Sequence, residues 1–588
     1  MQGKCRPPSP WPAPALLCLT LLVAPLALWQ VGVLTFDRSL HFYNLRAGQA
    51  QPQMLVVSDI DDPFVPRPDD LLVNLQESRP VLEALLDSLP DTWASTDCPD
   101  SAMGPALQAA FLVMSPIGGK LLLFQSTPPS EGVGRIKQRE NPAAYGTEKE
   151  SMLRVPEDPF FKKFAAECTR VHITVDVFAC GRVYMDLASL SALCRYTNGQ
   201  LYYYPGFDVG RDGAKLHSEV TRNLTREQGW EAVMRIRCSK GLQISAFHGH
   251  FFIRSSDLLA VPCVDEDKAY SVEISLEEQM ITGPAAYVQC ALLYTASCGE
   301  RRIRVHTVAV PVVTDLMEMF RTCDGAAMSA VLAHLAVEKS LGARLQDARD
   351  MVQQRVVGAL REFRLLYSAQ SRFITNKLIY PEGLRMLPLW SLAISKCGAL
   401  RGGAKDVAPD ERISFGFDLM SSPIERILKM VYPACYALHR PGDGPWGTPG
   451  PNGRALLPPT SPLSLERLEG SGAYLLDNGR IFIVWVGRGV APEFMQQVFG
   501  LGNNATPQEL AGIHVEPPRD NQWSRRINAV IQELRSTRPT HQLLFVVRQG
   551  DPHEGHVLPY FVEDRGPGMP SYMEHLSALH KQVMARPG

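Results

Sequence analysis

Enzyme motifs are missing from this chain of 588 residues. No Walker loop, G-x-S-x-G elbow, H-E-x-x-H pair or G-x-G-x-x-G fingerprint occurs, so phosphate, nucleophile-elbow, zinc-protease and dinucleotide sites of those kinds are excluded. No C-x-x-C pair exists among 13 cysteines, which excludes a compact zinc ribbon or a thioredoxin-type centre. The cysteines are odd in number and scattered from Cys5 to Cys435, which fits buried thiols in a reducing compartment, not a disulfide framework. An excess of either charge is lacking too. Lys and Arg number 59 against 61 Asp and Glu, a net of −2, so no overall field draws the chain to nucleic acid or lipid. Long apolar runs are scarce. Only the 17 residues from Ala13 to Trp29 approach membrane-spanning length, and Pro14 and Pro25 fall among them.

What is present is punctuation and alternation. Forty-six Pro and 45 Gly break the chain into short elements, and the length predicts about four domains. Residues 1–30 stand apart. Lys4 and Arg6 precede the apolar run, as in the first two regions of a signal peptide, but no clean small-x-small cleavage site follows. With the sequons at Asn223 and Asn504, this sustains a rival reading as a secreted or membrane-anchored protein. In residues 31–206, strands such as Val31 to Phe36, its hairpin partner His41 to Asn44, and Val171 to Ala179 alternate with helices such as Glu77 to Leu89. That order predicts a parallel, doubly wound sheet. Residues 207–313 shift to short alternating strands and predict a β-sandwich. Residues 314–440 are helical, with Val352, Val356, Leu360 and Phe363 on one stripe. Residues 441–462 read as a Pro- and Gly-rich linker or long loop. Residues 463–588 read as a compact α/β unit ending in a helix, with Asp477-Asn478-Gly479-Arg480 turning a hairpin.

Few residues carry site chemistry. His248 and His250 flank Gly249 in a strand, where alternation puts both imidazoles on one face; two ligands do not make a metal site, and core histidines are the plainer reading. Asp59, Asp61, Asp62, Asp69 and Asp70 offer hard oxygen ligands, but prolines interrupt them and no calcium-loop spacing is present. Asp37-Arg38-Ser39 starts like an integrin-type metal motif, yet His41 stands where a second serine is needed. No metal site and no catalytic residue is expected. Arg302 and Arg304 differ from these. A strand points both the same way, and adjacent guanidiniums repel unless exposed or neutralised. An acidic peptide or terminal carboxylate would satisfy them by bidentate hydrogen bonding. The plain alternative is a solvent-facing strand paired with Glu300 or a cross-strand acid.

Several stretches resemble one family. Phe64-Val-Pro-Arg-Pro-Asp-Asp-Leu-Leu-Val-Asn74, Gly104-Pro-Ala-Leu-Gln-Ala-Ala110 and Tyr184-Met-Asp-Leu-Ala-Ser-Leu190 are similar to its α/β trunk, and Arg302-Ile-Arg-Val305 to its β-sandwich. Tyr474-Leu-Leu-Asp-Asn-Gly479 with Trp485-Val-Gly487 is similar to its gelsolin-like module, and Val562-Glu-Asp-Arg565 before Ser571-Tyr572 to its C-terminus. The family is the cargo-selecting inner-coat subunit of COPII vesicles, Sec24, and the likeness runs in order from about Val31 to Val583. It looks like the C/D-type paralogue group. The resemblance implies a multidomain α/β and β protein: a von Willebrand A-like trunk, a β-sandwich, a helical domain and a gelsolin-like domain. It implies a cytoplasmic adaptor, not an enzyme, peripheral at endoplasmic reticulum exit sites and on COPII vesicles. Its implied partners are a Sec23-type inner-coat subunit, cytosolic cargo tails and the endoplasmic reticulum membrane surface, with no nucleic acid. Arg302 and Arg304 fall on one family cargo site. Three family features are not found here: the Pro-rich N-terminus, the four-cysteine zinc finger, and the trunk's first strand and helix. No zinc cofactor is therefore expected. Loss of the zinc finger and of the first trunk strand, which leaves a truncated trunk over residues 31–206 open at its central strand, is expected to impair the adaptor. The run Leu16 to Val23 is a candidate to fill that place.

Overall fold

The computed structural model describes residues 18–24, 30–277, 283–371, 376–402, 406–440, 444–502, 505–511, 513 and 515–585. Its largest sheet comprises β1 (Cys18–Ala24), β2 (Gln30–Phe36), β3 (Leu40–Asn44), β4 (Gln53–Val57), β5 (Val73–Asn74), β6 (Gly119–Gln125), β7 (Ile173–Ala179) and β8 (Leu201–Tyr203). The order is β4-β3-β2-β1-β6-β7-β8, with β5 beside β2. β1 is central. It runs antiparallel to β2, from Cys18 opposite Phe36 to Ala24 opposite Gln30, and antiparallel to β6, with Thr20 opposite Leu123. The open centre expected from the sequence is thus filled, and the trunk starts at Cys18 and not at residue 31. The cause is the demand of interior strands for backbone partners on both sides, which a short apolar strand satisfies.

The expectation of a parallel sheet needs correction. β1 to β4 form an antiparallel meander, and only β6, β7 and β8 run parallel. Three residues join β2 to β3 and eight join β3 to β4; a parallel crossover needs about a dozen. Helices cover both faces. On one, Met103–Met114, Phe160–Arg170 and Leu187–Thr197 pack on Leu121, Leu123, Val175 and Val177. On the other, Leu75–Trp93 packs on Val31 and Val33, and Val209–Thr225 sets Leu216, Val220 and Leu224 against Leu122, Phe178 and Tyr202. That i, i+4, i+8 stripe faces the trunk sheet, so the trunk extends to Thr225 and not to residue 206.

The sandwich packs two sheets. One has the order β11-β12-β9-β14-β15, from β9 (Gln228–Cys238), β11 (Phe252–Ser255), β12 (Leu258–Asp265), β14 (Ala285–Ala296) and β15 (Arg301–Pro311); the other pairs β10 (Leu242–His248) with β13 (Ser271–Leu276). Met234, Leu259, Val261 and Tyr294 lie between them with Ile244, Phe247 and Val272. In the helical region Val352, Val356, Leu360 and Phe363 are buried as the stripe predicts. Val352, Val356 and Leu360 share a core with Leu579 and Val583 of the terminal helix Tyr572–Met584. That helix therefore docks on the helical domain, across the expected boundary at residue 463. The last sheet is β17-β16-β18-β19-β20: β16 (Ala434–Ala437), β17 (Thr460–Ser461), β18 (Ala473–Asp477), β19 (Ile481–Val486) and β20 (Leu543–Arg548). Gly479 turns the β18–β19 hairpin at φ +77°, a conformation that glycine adopts without cost. β16 precedes residue 440, and the loop after it is anchored at one aromatic residue. Trp446 is buried and donates its indole N–H to the Arg440 carbonyl at 3.0 Å.

Candidate functional site

β15 is the edge of its sheet and pairs only with β14, which places Arg302 opposite Tyr294 and Arg304 opposite Leu292. Period-two alternation puts the two side chains on one face, rooted at Cα positions about 6.6–6.8 Å apart along the strand. Arg301 turns to the other face, where it donates to Thr295 Oγ1 at 2.7 Å and Glu231 Oε2 at 3.1 Å. Arg302 donates to Glu300 Oε2 from Nη2 at 2.6 Å and from Nε at 3.0 Å. Both side chains are exposed, 38% and 66%, so water screens the pair and it holds Arg302 weakly. Arg304 has no carboxylate partner among the described residues; its Nε donates to the Tyr294 hydroxyl at 2.9 Å. That bond, aided by Arg302, draws the Tyr294 phenol below its ordinary pKa. The pairing of Arg302 with Glu300 is the plain alternative read from the sequence, and it leaves the neighbouring arginine open. Tyr294 was not legible as part of the site. Only the hairpin register, centred on Ser297 to Glu300, brings it opposite Arg302.

The remaining candidates are tied into the fold. His248 bridges Glu338 at 3.0 Å and Glu273 at 3.2 Å. His250 is buried on Phe417, ring centroids 3.9 Å apart. The strand ends at His248 and Gly249 follows at φ +142°, so strand alternation does not extend to His250. Asp59, Asp61 and Asp62 are exposed in a loop, and exposed Asp69 and half-buried Asp70 lie in a single helical turn, Pro68–Asp70, where Asp70 pairs with Arg67 at 3.6 Å. Asp37 accepts from the Ser39 amide at 2.7 Å. Among the described residues no group of three or more His, Cys, Asp or Glu side chains could hold a metal ion. Asp477 at the hairpin turn is fully buried and spent on Arg538, Lys429 and the Gly479 amide. Burial pushes the Cys194 thiol well above its ordinary pKa, which disfavours the reactive thiolate.

The rival N-terminal reading loses its first sequon. Asn223 is fully buried, and its side chain is bonded to Lys120, Asp176 and Tyr202, so the folded chain offers no room for a glycan there. Asn504 lies outside the described residues. Among the described residues no helix is long and apolar enough to cross a membrane.

Four domain families match in order: "Sec23/Sec24 trunk domain" over residues 18–224, "Sec23/Sec24 beta-sandwich domain" over 229–313, "Sec23/Sec24 helical domain" over 324–429 and "Gelsolin repeat" over 454–506. The trunk match begins where β1 begins, which corrects the expectation that residues 1–30 are wholly foreign to the family. "Protein transport protein SEC24 A" of Arabidopsis thaliana is 46% identical over 94% of this chain and 53% of its own length. "Protein transport protein Sec24A" of Homo sapiens is 40% identical over 94% of this chain and 50% of its own. The chain thus spans about half the length of the curated relatives it matches. The human COPII-coat protein Sec24c, a solved structure, superimposes with a TM-score of 0.87 at 31% identity, over 94% of this chain and 71% of that one. Relatives of the A and B types match at 40–46% and Sec24c at 31%, so these matches do not single out a C/D-type group. With all four domains in family order on one superimposable fold, the chain belongs to the Sec24 branch of the Sec23/Sec24 family.

Proposed function

We propose that this chain is a cargo adaptor of the COPII coat, without enzymatic activity, that binds acidic sorting signals in the cytosolic tails of cargo for export from the endoplasmic reticulum. The observation that carries the reading is the Arg302–Arg304 pair on the β15 edge, with Arg302 held by one screened acid and Arg304 by a phenol. Acidic side chains two apart in an extended peptide are rooted at the same backbone repeat as Arg302 and Arg304, so one tail segment can meet both. The proposed partners are a Sec23-type subunit, forming a heterodimer, and the cytosolic face of the endoplasmic reticulum membrane. The proposed place of action is cytoplasmic, peripheral at exit sites and on vesicles. The expectation of impaired activity rested in part on an open sheet centre, and with β1 in place that part falls away.

The test is titration of acidic cargo-tail peptides against the chain and its Arg302→Ala/Arg304→Ala variant. The variant is expected to bind about tenfold or more weakly, with the larger loss at low salt. Equal affinity for both proteins would remove the assignment.

A further inference from the structure

A cavity of about 280 Å³ lies where the trunk, the sandwich and the helical domain meet. Arg154 of the trunk lines it and is only 3% exposed. Its Nη2 donates to the Ala343 carbonyl at 2.8 Å, while Nε and Nη1 have no hydrogen-bond partner among the described residues. The charge around it does not balance. Glu150 is buried beside it, but one oxygen of that carboxylate takes Arg412 Nη1 at 2.5 Å and the other the Gly146 amide at 2.8 Å. The remaining Arg412 donors go to the carbonyls of Arg401 and Val407. Two buried guanidiniums thus share one carboxylate, and Arg154 is the one left without an ion pair. His250, 2% exposed, also lines the cavity, and its Nδ1 has no partner among the described residues. Burial holds that imidazole neutral, so it can donate one hydrogen bond without adding charge. The rest of the lining includes apolar Val337, Phe417 and Met420, the cations Arg195 and Arg412, and one acid, Glu338, whose Oε2 is taken by His248 at 3.0 Å.

A buried guanidinium without a counter-charge is costly, and water satisfies its N–H groups but not its charge. We infer that this cavity binds a small amphiphilic anion, a carboxylate on an aliphatic body, with Arg154 and His250 on the head group and the apolar side chains around the tail. The site is separate from the Arg302–Arg304 edge and does not depend on the cargo reading.

Sodium octanoate and sodium phosphate, titrated into the full chain at constant ionic strength and followed by calorimetry and thermal unfolding, test the inference. Octanoate is expected to bind saturably, about tenfold or more tightly than phosphate, and to raise the Tm. Arg154→Gln is expected to weaken octanoate by about tenfold or more. Ser191→Phe, at a partly exposed lining position, is expected to block octanoate while leaving the ligand-free Tm unchanged, so the test stands even where Arg154→Gln fails to fold. Absence of saturable octanoate binding, phosphate binding as tight as octanoate, or full affinity in the Ser191→Phe chain would each overturn the assignment.

Discussion

A chain lacking residues 1–24 is expected to lose its folded trunk while the gelsolin-like module stays protected. β1 pairs with β2 along seven positions and with β6 along four. The flanking strands lie deep in the sheet: Val33 and Leu34 are 4% and 3% exposed, and Leu121 to Leu123 are fully buried. Removing β1 leaves the facing N–H and C=O groups of β2 and β6 unpaired under helices that shut out water. Each buried orphan costs about 1–3 kcal/mol, and several together match the 5–15 kcal/mol or so that holds a typical domain. Leu21→Pro is a milder form of the same lesion. Leu21 lies opposite Val33 on one side and Leu122 on the other, and proline withdraws one ladder donor from the middle of a sheet. Limited proteolysis with hydrogen exchange separates the outcomes. Early cleavage and fast exchange across residues 30–205, with slow exchange in residues 473–548, is the expected result. Native protection of the trunk in the shortened chain would show that the sheet closes without β1.

The same apolar run explains a limit of sequence reading. Residues 18–24 satisfy a signal-peptide pattern and a buried strand equally, because both require a short unbroken stretch of Leu, Val and Ala. Pairing partners decide between them, and these lie about 10 and 100 residues away at β2 and β6. Features set by local period were legible. The stripe through Val352, Val356, Leu360 and Phe363, the hairpin at Asp477 to Arg480, and the shared face of Arg302 and Arg304 all depend on spacing within one element. Features set by register or domain contact were not. The β2–β3 hairpin was legible, but the antiparallel addition of β1 and β4 on either side of it was not, and Tyr294 reaches Arg304 only through hairpin register. Arg154, His250 and Phe417 come from three domains and meet only when those domains pack.

Asp176→Asn is expected to cost the trunk about 3–5 kcal/mol at neutral pH, because it breaks one side of a buried ion pair. The Asp176 and Lys120 side chains are 2% and 3% exposed and lie 3.2 Å apart. Oδ1 of Asp176 also accepts the Gln200 amide at 2.6 Å, and Oδ2 accepts Asn223 Nδ2 at 2.7 Å. Asparagine in its place leaves Lys120 as a buried cation and turns an NH2 toward groups that need an acceptor. Burial alone would raise the pKa of this carboxyl, but Lys120, Lys268 and Arg226 with the Asn223 hydrogen bond outweigh it and hold the value below the ordinary one. The sign of the pH dependence follows. A carboxyl depressed in the folded state stabilises fully above its unfolded pKa of about 3.9, and that stabilisation is lost as pH falls through the lower folded value. Urea unfolding of the trunk, read by hydrogen exchange in β6 and β7, is therefore expected to differ between wild type and Asp176→Asn by a constant amount from about pH 5 to 8. The difference is expected to shrink below about pH 4. A loss under about 1 kcal/mol at pH 7 would mean that water reaches Lys120 and that the pair is not buried in effect. The double variant Lys120→Met/Asp176→Leu adds a second discrimination. If the single substitution acts by stranding a charge, removing both charges recovers much of the loss, since apolar replacements of a buried pair are often neutral. If it acts by spoiling the Gln200 and Asn223 hydrogen bonds, the double variant is as unstable as the single one.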